Sequence, residues 1–119
     1  MRLDHLALPV SDPERTASFW CTHFGLRRDR DGKEVALFLA DGAGFRLALL
    51  RGEARADATA LHIGIRQDTV TEVEQLHDRL MRAGIALSEP LTEEADYVYF
   101  RCRDPDGYGI EVYWARVPR

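Results

Sequence analysis

The 119-residue sequence predicts an α+β fold: two paired βαβββ modules whose strands form a curved, cup-like mixed sheet, with the helices on its outer face. Three observations lead there. The order strand, capped helix, glycine, strands occurs twice along the chain. Apolar residues alternate in the strand segments and recur every three or four positions in the helical ones. The copies also close on related segments, Asp41-Gly42-Ala43-Gly44-Phe45-Arg46-Leu47 and Asp106-Gly107-Tyr108-Gly109-Ile110-Glu111-Val112.

In the first copy, Leu6, Leu8 and Val10 alternate as in a strand with one buried face, and Ser11-Asp12-Pro13-Glu14 then starts a helix. Asp12 suits the N-cap and Pro13 the first helical position, where its missing N–H costs nothing. Ala17, Trp20 and Phe24 form an apolar stripe, and Gly25 offers a left-handed exit, so the helix runs from Pro13 to Phe24. Asp31-Gly32 reads as a tight turn between strands Leu26–Arg30 and Lys33–Leu39, and Phe45–Leu50 ends the module. The second copy opens with strand Leu61–Arg66. Thr69-Val70-Thr71-Glu72 forms a capping box, Val73, Leu76 and Leu80 make the stripe, and Gly84 is the exit. Strand Tyr97–Arg103, the turn Asp104-Pro105-Asp106-Gly107 and strand Ile110–Trp114 complete it. Residues 88–96 carry no strand signal and are expected to form a flexible rim loop. Module one therefore spans 1–51, a polar, alanine-rich linker 52–59, and module two 60–119, within a single domain.

The composition narrows the function. The chain is 45% apolar and 30% charged, with signs interspersed and a net charge of −4, an ordinary balance for a soluble globular protein. Arg27, Arg28 and Arg30 are interleaved with Asp29 and Asp31, a solvated hairpin rather than a phosphate-binding patch, so no nucleic-acid partner is expected. There is no charged leader and no apolar run of membrane-spanning length, so neither secretion nor a membrane is expected. Cys21 and Cys102 lack CxxC spacing and read as free thiols of a cytoplasmic protein.

The two copies place ionisable residues at matching points. His5 and His62 head the first strand of each copy, and Arg46 stands in the first closing segment where Glu111 stands in the second. Successive strand side chains point to opposite faces, and each of these four lies opposite apolar neighbours. The apolar face takes the helices, which leaves His5, His62, Glu111 and Arg46 on the face that would line the cup. Two imidazoles and one carboxylate suit a divalent transition ion (Zn, Ni, Mn or Fe), with positions left open for water or substrate. A polar sheet face alone gives no reason for histidine at both equivalent strands. His23 and His77 lack this registration and read as helix-surface residues. Tyr113 shares the parity of Glu111 and is expected inside the cup, as a substrate-binding residue.

The segments Asp4-His5-Leu6-Ala7-Leu8-Pro9-Val10, Leu61-His62-Ile63 and above all Asp104-Pro105-Asp106-Gly107-Tyr108-Gly109-Ile110-Glu111-Val112 resemble the vicinal oxygen chelate superfamily. That superfamily includes glyoxalase I, fosfomycin-modifying thiol transferases, extradiol dioxygenases and bleomycin-resistance proteins. The resemblance covers essentially the whole chain. It implies paired βαβββ modules, a homodimer, and a divalent ion held by His5, His62 and Glu111. It further implies a metal-dependent lyase, thiol transferase or dioxygenase acting on a small oxygenated substrate, or alternatively a non-catalytic, antibiotic-binding relative. One position departs from the pattern: glyoxalase I-like members carry a carboxylate where this chain has Arg46, and a guanidinium can neither ligate a metal nor accept a proton. The resemblance thus points away from glyoxalase I itself, and Arg46 is left to clamp an anionic substrate group or to pair with a carboxylate.

Overall fold

Each helix begins and ends where its sequence supplies a cap. In the computed structural model, which describes residues 1–29, 36–56 and 61–117, helix α1 spans Pro13–Phe24 and helix α2 spans Val70–Arg82. The Asp12 carboxylate accepts the N–H groups of Glu14 and Arg15. Thr69 and Glu72 satisfy each other's backbone donors in a capping box. Gly25 leaves α1 at φ 70°, a left-handed conformation that a Cβ would strain.

The chain divides into two compact units, Met1–Asp57 with Asp104–Asp106, and Ala58–Arg103 with Gly107–Arg119. Unit 1 holds β1 (His5–Val10), α1, β2 (Arg27–Asp29), β3 (Ala36–Ala40) and β4 (Arg46–Arg51), in sheet order β1-β4-β3-β2. Unit 2 holds β5 (His62–Arg66), α2, β6 (Leu87–Glu94), β7 (Tyr97–Arg103) and β8 (Gly109–Ala115), in the same relative order, β5-β8-β7-β6. In both, the first strand runs parallel to the last and the remaining pairs are antiparallel. Two four-stranded mixed sheets, each with its helix, make the α+β fold that the repeated strand and helix pattern predicts.

The cores follow the apolar stripes. Unit 1 buries Leu8, Val10, Ala17, Trp20, Leu39, Leu47 and Leu49; unit 2 buries Val73, Leu76, Leu80, Val98, Phe100, Cys102, Ile110 and Val112. A fully buried side chain of this kind contributes about 1.5–3 kcal/mol. Leu6 departs from its expected place, being 40% exposed near the start of β1. His77 is only partly on the surface: its ring meets the edge of Phe100 at 5.4 Å, while His23 lies against Phe19 at 5.1 Å. Cys21 and Cys102 are not joined in a disulfide. Among the described residues no helix is long and apolar enough to cross a membrane.

One expectation needs correction. Residues 87–94 are not a loop but strand β6, paired antiparallel with β7. Its register shifts between Leu87 and Glu89 and again between Glu89 and Thr92, an interval that contains Pro90. Bulges and the outer position in the sheet accommodate a proline that a central strand would reject, and partner strand β7 overrides the weak local propensity. The proposed turn at Asp31-Gly32 and the later part of the linker lie outside the described residues. Arg28 pairs with Glu14 at 2.8 Å.

The turn between β7 and β8 is built into unit 1. Asp106 accepts the Ser11 hydroxyl at 2.6 Å and the Ser11 N–H at 3.1 Å, and Arg15 reaches the same carboxylate at 3.3 Å. The Asp106 N–H in turn donates to Asp104 at 3.0 Å.

Gly109 begins β8 against the backbone of β5. A Cβ there would stand 2.8 Å from the Leu61 carbonyl oxygen and 3.1 Å from the His62 Cβ, both closer than ordinary contact. Gly109→Ala should therefore destabilise the protein by about 1–3 kcal/mol, by prising β5 from β8. Urea denaturation checks this, and an unchanged midpoint would show that the ladder yields freely at this point.

Candidate functional site

The chemistry of unit 2 gathers around Glu111. Strand β8 turns Ile110 and Val112 into the core, so Glu111 faces the other side, its side chain only 9% exposed. The ladder sets Glu111 across from Arg101 on one side and Gly64 on the other, and Arg101 lies across from Glu89. One cross-strand row thus reads Glu89, Arg101, Glu111, Gly64. Arg101 donates to Glu111 Oε2 through Nε at 3.0 Å and Nη2 at 2.8 Å, while its Nη1 lies 3.5 Å from Glu89 Oε1. The Tyr97 hydroxyl donates to Glu111 Oε1. Burial pushes the Glu111 carboxyl pKa up, but the hydrogen bonds from Tyr97 and Arg101 and the charges of Arg101 and His62 outweigh it. The carboxyl is held below its usual range and stays ionised.

His62 heads β5 on the same side, its Nε2 3.8 Å from Glu111 Oε2 and its side chain 31% exposed. Both residues line a cavity of about 550 Å³ together with Gly64, Glu94, Tyr97, Tyr99, Arg101 and Tyr113. Its wall is aromatic: Tyr97 stacks on Tyr99 at 5.1 Å and lies 5.8 Å from Tyr113. A Cβ at Gly64 would make ordinary contact with the Tyr113 ring, at 3.5 Å.

His5 and Arg46 belong to unit 1. His5 heads β1 with its side chain 57% exposed and its Nδ1 2.7 Å from Asp4 Oδ1. The hydrogen bond with His5 lowers the Asp4 pKa, so the carboxylate is the acceptor and His5 Nδ1 the donor. Arg46 is the ladder partner of His5. Its Nη1 lies 3.4 Å from Asp29 Oδ2, and its guanidinium carbon sits 4.7 Å over the Phe38 ring. The two units place their residues in different registers: His5 faces Arg46, whereas His62 faces Gly109 and Glu111 faces Gly64, a step of two residues. Parity is kept and position is not.

Among the described residues, no three His, Cys, Asp or Glu side chains gather closely enough within either unit to hold a metal ion. Two of the expected ligands nevertheless fit one in donor chemistry. Imidazole nitrogen and carboxylate oxygen each bind such ions at about 2.0–2.2 Å, so two ligands of one ion stand at most about 4 Å apart. The 3.8 Å between His62 and Glu111 lies inside that limit. His5 Nδ1 meets the Asp4 carboxylate, the kind of anchor that ligating histidines have on their second nitrogen.

Arg101, Tyr97 and Glu89 are site residues that reasoning from the sequence missed. The signal was present as parity. Tyr97, Tyr99 and Arg101 alternate with the buried Val98, Phe100 and Cys102, which places them on the face of Glu111.

Comparison with known proteins agrees with this architecture. The family model described as Glyoxalase/Bleomycin resistance protein/Dioxygenase superfamily matches residues 2–112. Biphenyl-2,3-diol 1,2-dioxygenase from Pseudomonas sp. (strain KKS102) is 29% identical over 117 residues, which are 95% of this chain but 39% of that enzyme. The chain thus spans well under half the length of that relative. A possible glyoxalase from Bacillus cereus superposes with a TM-score of 0.81 at 28% identity, covering 94% of this chain and 97% of the other. The antibiotic-binding protein TnmS3 from Streptomyces sp. CB03234 shares the fold, with a TM-score of 0.77 at 23% identity over 97% of this chain and 96% of its own. With the family model matching nearly the full length of two mixed sheets of the expected topology, the chain belongs to the Glyoxalase/Bleomycin resistance protein/Dioxygenase superfamily.

Proposed function

We propose that the protein is a metal-dependent enzyme acting on a small oxygenated organic molecule, with His5, His62 and Glu111 as ligands of a divalent ion, Zn, Ni, Mn or Fe. The observation that carries this reading is the approach of His62 Nε2 to Glu111 Oε2, 3.8 Å apart on the wall of a polar cavity. When bound, such an ion supplies a Lewis acid that holds substrate oxygens and stabilises the negative charge that develops on them. The chain's own residues do the rest. Tyr97 and Arg101 keep Glu111 ionised and oriented, and Asp4 anchors His5 through Nδ1. Tyr113 and the stacked Tyr97 and Tyr99 form a flat wall that orients the organic part of the substrate. Arg46 is the proposed clamp for an anionic substrate group, for which it would trade its part-buried pairing with Asp29. With arginine at that position the reading favours thiol transfer, dioxygenation or a lyase reaction other than that of glyoxalase I. A homodimer is part of it, because β1 and β5 each stand at the end of their sheet among the described strands and so offer an edge for pairing.

A second reading is non-catalytic capture of a small molecule, favoured by the tyrosine wall and by the fold shared with TnmS3. Elemental analysis of protein purified without added metal, followed by titration with the four ions, separates the two. The enzyme reading expects stoichiometric binding that falls by more than about tenfold in His62→Ala, a ligand being worth at least as much as the groups that support it. A His62→Ala protein that binds metal as the parent does would sink it.

A further inference from the structure

Resting on the metal-site reading above, we propose that Arg101 is a resident counter-cation that competes with the divalent ion for Glu111, and that Glu89 is the seat it moves to when the ion binds. The geometry leaves little room for both cations. Glu111 Oε2, the oxygen that faces His62 at 3.8 Å, is the one that already accepts two N–H groups from Arg101, at 2.8 and 3.0 Å. The other oxygen is engaged by Tyr97. A carboxylate offers about four lone-pair directions, and three are taken. A guanidinium and a divalent ion on one partly buried oxygen also repel each other, more strongly than they would in water.

The second seat is adjacent. Glu89 and Glu111 flank Arg101 in the same cross-strand row, and Arg101 Nη1 is already 3.5 Å from Glu89 Oε1. A small swing of the guanidinium exchanges one carboxylate for the other without exposing an unpaired charge. The Glu89 side chain is 42% exposed, so water helps it to receive the cation. Arg101 thereby sets the metal affinity from a position that ligates nothing.

Titration of the 119-residue chain with Mn(II), followed by electron paramagnetic resonance and calorimetry, tests this. Arg101→Gln should bind Mn(II) about tenfold or more tightly than the parent, the worth of one charge-assisted hydrogen bond to a carboxylate. Arg101→Lys, which keeps a competing charge, should stay near the parent. Glu89→Gln should bind more weakly, because Arg101 then has no second seat, and this loss should vanish in the Arg101→Gln background. The last arm separates a latch from the general attraction of a nearby carboxylate, which would persist in that background. Equal or weaker binding by Arg101→Gln, while the parent binds and His62→Ala does not, overturns the latch and leaves the metal reading intact. Failure of both parent and Arg101→Gln to bind Mn(II) or any of the other three ions overturns both. Should Arg101→Gln not fold, as seen by circular dichroism, the Glu89→Gln titration decides: unchanged or tighter binding overturns the latch.

Discussion

Phe100→Ala should cost about 3–5 kcal/mol, the usual range for removing a fully buried aromatic ring. Phe100 is among the largest side chains with no exposure and packs on the inner face of β7. Its neighbours on that face, Val98 and Cys102, are buried too, and the His77 ring meets it from α2. A helix and a sheet held at native packing density close such a gap only in part, so the cavity term adds to the lost transfer energy. The melting temperature should fall on the order of 10 °C for a domain of this size. Because β7 presents Tyr99 and Arg101 on its other face, the substitution should also loosen the cavity wall. Chemical denaturation checks the first expectation, and a loss below about 1 kcal/mol would mean that α2 collapses onto the sheet unaided.

Glu111 carries the second large effect, and it depends on pH. Glu111→Ala leaves the Tyr97 hydroxyl and the Arg101 guanidinium facing an empty acceptor, which should cost about 2 kcal/mol, less than for a fully enclosed pair since water reaches part of Arg101. Glu111→Gln gives the cleaner experiment, because it keeps the shape and removes the charge. The folded-state pKa of Glu111 lies below that of the unfolded chain, since the Tyr97 and Arg101 interactions outweigh burial. In the acid range the unfolded state therefore binds more protons than the folded one, and stability rises with pH. The contribution of the carboxylate is complete above the unfolded glutamate value of about 4.3 and is lost as pH falls through the lower folded value. The gap in urea midpoint between parent and Glu111→Gln should accordingly be constant near neutrality and shrink towards strong acid. A gap that does not change with pH would show that the carboxylate is not held ionised by its neighbours.

What was legible in the sequence was what is local. Asp12, Pro13 and Gly25 bound α1, and Thr69 with Glu72 starts α2, because a cap is decided within four residues. Strand parity was equally readable: it put Glu111 and Tyr113 on one face from β8 alone. Pairing between strands was not. The polar segment containing Pro90 becomes β6 only because β7 supplies a ladder, and Arg101 meets Glu111 only through the register of the β7–β8 hairpin. The same limit explains the step of two residues between the units, since a shift of two preserves every inside-outside pattern that periodicity can report.

The clasp of Asp106 on Ser11 and Arg15 bears on how far the repeat can be taken apart. The two copies are similar in plan but are not interchangeable blocks, for the first sheet completes its helix entrance with a carboxylate encoded ninety-five positions downstream. A piece of the gene that stopped at the linker would yield a first half without its own latch. The first half should therefore be less stable when excised than within the chain, because it lacks this carboxylate.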